Sequence, residues 1–130
     1  MKVIIAGPRY VTDFGIVKQA IEASGFNITQ VVSGGARGVD TLGEIWARAN
    51  GIKFVRFPAD WNKHGKSAGP IRNQEMAKYA DALVVIIFPN SKGSTNMFHV
   101  GNRNGLKIYM EEYKYDKDLE KYIRANFWRS

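Results

Sequence analysis

Residues 33–40, SGGARGVD, set Gly34, Gly35 and Gly38 around Arg37, with Ser33 before them and Asp40 after. Backbone N–H groups at a helix start carry positive partial charge, so a glycine-rich turn there can hold a phosphate. Arg37 can add a bidentate contact to phosphate or carboxylate. Asp40 either accepts from a ribose hydroxyl or caps the helix. Glycine costs backbone entropy, and three in five positions imply that something approaches the main chain closely. The spacing is neither a Walker loop nor GxGxxG. The competing reading is a tight turn whose glycines serve backbone shape alone.

Three further loops carry reactive or polar types. The first, AGPRY, holds Gly7, Arg9 and Tyr10, the tyrosine able to stack on a ligand or to pack. PADWNKHGK offers Asp60 to a sugar or base, Trp61 to stack and Lys66 to meet phosphate; Trp61 reads equally as a loop anchor and His64 as a surface imidazole. FPNSKGST supplies Pro89, Gly93, Ser94 and Thr95 before a helix, a second phosphate cradle or a plain Ser/Thr cap. GPIRNQEM puts Arg72 and Asn73 in what reads as the first turn of a helix, where a cation works against the macrodipole. That misfit suggests that Arg72 faces an anion; a solvated arginine is the alternative.

The elements that must position these loops follow from periodicity. Apolar runs at 3–6, 28–33, 53–58, 82–89 and 106–110 read as strands. Helical spacing spans 11–24, with Phe14, Val17 and Ile21, and 39–50, with Val39, Leu42, Trp46 and Ala49 on one face. Residues 71–80 look helical, a short helix precedes the fifth strand, and 59–70 and 90–95 read as a loop and a turn. Leu119, Tyr122, Ile123 and Phe127 predict a closing helix at about 116–128, with Trp128 in the core. Strands alternating with helices predict an α/β, Rossmann-like, doubly wound parallel sheet of about five strands with helices on both faces. VIIA and ALVVIIF are continuously apolar, as strands covered on both faces should be. Ligands bind such sheets beyond the carboxyl ends of the strands, where the four loops converge.

Composition bounds the rest. The 130 residues suit one domain, read as 1–130, and the apolar content is that of an ordinary globular protein. No apolar run approaches the roughly 20 residues that span a bilayer, and the start reads as a strand rather than a signal peptide. Zero cysteines exclude disulfides and thiolate chemistry and fit a cytoplasmic setting. His64 and His99 show no metal-ligand spacing, so neither a metal nor a cofactor is expected. A formal charge of +7 points to an anionic partner. A nucleic acid is disfavoured, because the arginines are scattered and no basic helix stands out.

The combination of AGPRY, SGGARGVDTLGEIWARANGI, FPADWNKHGKSAGPIRNQEMAKYADALVVI and FPNSKGSTNM, in that order, resembles the SLOG superfamily. That group is named for the Smf/DprA DNA-processing and LOG proteins, and the resemblance, over about residues 1–110, is to its small YspA-like branch. It implies a Rossmann-like fold and a nucleotide-type ligand at the rim. LOG members are phosphoribohydrolases whose PGGxGTxxE loop holds phosphate and supplies an acidic residue. The matching loop here is PNSKGSTNM: Pro89 and Gly93 are kept, Ser94 replaces threonine, and Met97 stands at the glutamate position. Arg72 matches the family arginine.

An oxocarbenium-like transition state needs a nearby carboxylate, which Met97 does not supply. The resemblance therefore implies binding of an ADP-ribose-like or nucleoside-phosphate signal without hydrolysis, sensing it or sequestering it as a virus-encoded sponge would. The alternatives are a phosphoribohydrolase using Arg72 with Asp40 or Asp60, and a DNA-processing-like nucleic-acid binder. LOG proteins are commonly dimers, which leaves a homodimer open, with Tyr113, Tyr115 and Tyr122 as interface or core residues.

Overall fold

A computed structural model describes residues 1–113. The expected closing helix at 116–128, with Tyr122 and Trp128, lies outside them, as does Tyr115. Five parallel strands, β1 (Lys2–Ala6), β2 (Gln30–Ser33), β3 (Lys53–Arg56), β4 (Ala82–Ile87) and β5 (Lys107–Glu112), form one sheet in the order β3-β2-β1-β4-β5. The helices are α1 (Phe14–Ser24), α2 (Val39–Ala49), α3 (Trp61–His64), α4 (Ala68–Tyr79) and α5 (Lys92–Arg103).

The central strands are apolar on both faces because both are covered. Val3 and Ile5 of β1 join Val84 and Ile86 of β4 against Val17, Ala20 and Ile21 of α1 and Val39 and Ala47 of α2. Ile4 and Ala6, alternating with them, join Leu83 and Val85 against Met76 and Ala77 of α4 and Met97 and Val100 of α5. The period of two thus assigns each strand residue to one of two helix layers. Chain order reverses between β1 and β4, so a crevice opens beyond their carboxyl ends.

Several boundaries differ from the sequence reading. The segment read as a loop at 59–70 folds as α3, a 3-10 turn at Gly65–Ser67 and the start of α4 at Ala68. Pro70 sits in the first turn of α4, where a helix needs no N–H donor. Arg72 consequently lies in the second turn, and the macrodipole argument for it does not apply. The turn expected at 90–95 already belongs to α5 from Lys92 onward. On α2 the inward residues are Val39, Asp40, Gly43, Glu44 and Ala47, whereas Ala49 is exposed and Leu42 and Trp46 are half-buried. Gly43 permits this face to sit close, since a Cβ there would come 2.9 Å from Ile5.

Candidate functional site

Two cavities adjoin at the carboxyl-end rim. The larger, about 530 Å³, opens at the switch point between the loops after β1 and β4 and the start of α4. Its apolar wall includes Ala6, Pro8, Met76 and Met97, and its polar groups include Arg9, Asp40, Arg72, Asn73, Lys92 and Asn96. The smaller, about 310 Å³, lies over the loops after β2 and β3 and is lined by Gly34, Gly35, Arg37 and Pro58. Arg9, Ala36, Trp61 and Arg72 line both. The Arg9 guanidinium stands over the Trp61 ring at 5.8 Å, and Trp61 is 49% exposed where the two cavities meet.

The glycines of SGGARG are explained first by the protein itself. A Cβ on Gly34 would come 2.6 Å from Arg72 Nη1 and 2.7 Å from Asp40 Oδ2. Arg72 Nη1 donates to the Gly34 carbonyl at 2.5 Å, and its Nε donates to Asn73 Oδ1 at 3.1 Å. What comes close to the main chain at Gly34 is therefore a guanidinium from α4. Gly38 has φ +76°, and a Cβ there would strike the Pro8 and Arg9 carbonyls. Gly7 is likewise a packing glycine, because a Cβ would come 2.6 Å from Val39. Gly93 differs: it lines the larger cavity, and a Cβ there would meet nothing within 4 Å, so packing does not call for glycine at this position.

Below the loop lies a network that the sequence reading missed. Glu44 is buried and accepts from Arg56 Nε at 2.9 Å and Nη2 at 2.7 Å, and from Ser33 Oγ at 2.6 Å. Ser33 Oγ in turn accepts from the Gly35 N–H at 3.0 Å, fixing the glycine turn from underneath. Burial alone would raise the Glu44 pKa, but the hydrogen bonds from Arg56 and Ser33 outweigh it and hold the carboxyl below its usual range. Glu44 is thus an ionised structural anchor. Its position four residues after Asp40, on the same α2 face, was the available signal.

The expected site residues divide accordingly. Gly7, Arg9, Tyr10, Asp40, Trp61, Arg72, Asn73, Gly93 and Ser94 line the larger cavity, and Gly34, Gly35 and Arg37 the smaller. Ser33, Gly38, Asp60, Lys66, Pro89 and Thr95 line neither. Ser33 points down to Glu44, Asp60 caps α3 by accepting from the Lys63 N–H at 3.1 Å, and Thr95 Oγ1 donates to the Ser91 carbonyl. Asn96 and Lys92 line the cavity without having been expected; Asn96 Oδ1 accepts from Asn73 Nδ2 at 2.9 Å.

Asp40 stands apart electrostatically. It is only 7% exposed, and burial pushes its pKa from about 3.8 up to about 6, although the Ala36 N–H and the Arg72 charge pull the other way. A carboxyl whose folded pKa is raised destabilises the fold once ionised. The penalty is absent below the unfolded value, grows between pH 4 and 6, and is complete above the folded value. Asp40→Asn is therefore expected to stabilise the protein at pH 7.5 by up to about 3 kcal/mol, and not at pH 4. Thermal unfolding at the two pH values checks this, and an equal effect at both would contradict it. A charge kept at such a cost in a cavity makes Asp40 a candidate functional position.

A family model described as the YspA, cpYpsA-related SLOG family matches residues 1–64. The Gene 61 protein of Mycobacterium phage D29 is 38% identical over 85 residues, covering 60% of this chain and 67% of that protein. Among solved structures, DNA processing protein A of Streptococcus pneumoniae superposes with a TM-score of 0.70 at 17% identity, over 99% of this chain. The chain spans 56% of that protein's length, and at this identity the likeness concerns the fold. No helix among the described residues is long and apolar enough to cross a membrane.

Proposed function

The chain belongs to the YspA, cpYpsA-related SLOG family, and on that premise we propose that it binds a nucleotide-type ligand of the ADP-ribose kind. It senses or sequesters that ligand without hydrolysing it. The observation that carries this reading is the pair of adjoining cavities sharing Arg9, Trp61 and Arg72. The larger has the volume and the apolar wall that suit a base and its ribose. Both cations of the shared wall suit a diphosphate, and the smaller chamber, with Arg37, suits the second sugar. Four cations, Arg9, Arg37, Arg72 and Lys92, and one carboxylate, Asp40, line the two chambers, so the cleft favours an anion. A relative encoded by a phage accords with a sponge for a host signal.

Calorimetric titration with ADP-ribose and AMP tests the reading. ADP-ribose is expected to bind more tightly, because AMP leaves the smaller chamber unused. Arg37→Ala is expected to weaken ADP-ribose by about 1.5–3 kcal/mol, the range for hydrogen bonds to charged groups, and to leave AMP nearly unchanged. Binding of neither nucleotide would overturn the proposal. So would submicromolar binding of short DNA at physiological salt, falling steeply as salt rises.

A further inference from the structure

We infer that Asp40 is the acceptor for a sugar hydroxyl of the ligand, so that the cleft selects nucleotides carrying that hydroxyl over their deoxy counterparts. The inference rests on the nucleotide reading and adds its selectivity. Its geometric basis is an incomplete carboxylate. Asp40 Oδ2 accepts from the Ala36 N–H at 3.2 Å, and among the described residues no other hydrogen bond reaches this side chain. Among the described residues no buried side-chain oxygen is sealed off without a partner. The second oxygen of Asp40 therefore opens onto the cavity that the residue lines.

Arg72 does not occupy it. The one ion pair among the described residues is Arg56–Glu44, so Arg72 acts on Asp40 through space while its donors go to Gly34 and Asn73. A carboxylate oxygen in this position accepts hydrogen bonds and repels phosphate. Among the parts of a nucleotide, the ribose hydroxyls and the amino group of the base are the neutral donors; Arg9 and Arg72, the cations acting on Asp40, suit the phosphates, and the ribose is the part joined directly to them. A site built to hydrogen-bond a hydroxyl rejects the analogue lacking it more strongly than an apolar pocket rejects a missing methylene, because the polar group is left unpaired.

The test is titration of wild type and Asp40→Asn with AMP, ADP-ribose and analogues of each lacking single hydroxyls. In the wild type, deleting one particular hydroxyl is expected to weaken binding by about 10- to 100-fold. In Asp40→Asn, whose amide oxygen still serves Ala36 and whose NH2 offers the hydroxyl only a neutral hydrogen bond, the same deletion is expected to cost at least about 3-fold less than in the wild type. Asp40→Ser stands in should the Asn variant fail to fold. Deoxy analogues that all bind wild type as tightly as their parents would overturn the inference and leave the nucleotide reading standing. An equal deletion penalty in wild type and variant would assign the hydroxyl to another residue and overturn it as well. Absence of binding by every probe would remove the nucleotide reading and this inference together.

Discussion

Incubated with nucleoside 5′-monophosphates or ADP-ribose, the protein is expected to release no free base above the uncatalysed rate. Met97 is 1% exposed and lines the larger cavity, at the position where the family resemblance would put a catalytic glutamate. A thioether neither takes a proton at neutral pH nor stabilises a developing positive charge. General acid–base groups typically contribute about 100- to 10,000-fold in rate, so losing one leaves at most a trace. Asp60 is not expected to substitute, because it caps α3 and lines neither cavity. Asp40 is the carboxylate that does line the larger cavity, and its pKa near 6 would suit proton transfer. Chromatography of a nucleotide panel decides: multiple turnovers that disappear in Asp40→Asn would establish an enzyme and end the non-hydrolytic reading. With turnover absent, Met97→Glu is expected to gain base release, at a loss of stability, since it buries a charge among apolar neighbours.

Arg72→Ala is expected to weaken ADP-ribose binding by about 1.5–3 kcal/mol and to lower the melting temperature as well. The guanidinium does two things at once. It donates to Gly34 and Asn73, tying α4 to the glycine turn across 38 residues of sequence. It also lines both cavities and offsets part of the cost of burying the Asp40 carboxylate. Removing it strands the Gly34 carbonyl and leaves Asp40 with less compensation. Arg72→Lys keeps the charge and loses the planar fork, so it is expected to recover less than half of the lost affinity. Calorimetry and thermal unfolding on the same preparations separate the effects. Lowered stability with unchanged affinity would make Arg72 a structural tie only.

What the sequence determined is local. Continuous apolar runs such as VIIA and ALVVII become buried parallel strands because residues alternate between two covered faces, and that alternation is written in neighbouring positions. The convergence of the four loops on one rim follows from the same alternation of strand and helix. The family was legible too, because its motifs are contiguous. Helix starts were harder: 59–70 looked like a loop for its glycines and proline, yet those residues are tolerated in short turns and first helical turns.

Only the tertiary structure decided which of the candidate side chains share a cavity. Asp60 and Trp61 are neighbours in sequence, yet one caps a helix and the other stands between two chambers beside Arg9. Glu44 gave little sign of itself as one acid on a helix, and it becomes the anchor of the glycine turn through Ser33 and Arg56, eleven and twelve residues away. The glycines at 34 and 38 had a reason in the sequence, close approach, but the approaching groups were unreadable there: Arg72 and Asp40 for one, the Pro8 and Arg9 carbonyls for the other. Backbone propensity and periodicity are summed over adjacent residues. Burial of a carboxylate, its pKa and the free direction of its second oxygen depend on groups brought together from distant segments, which folding alone assembles.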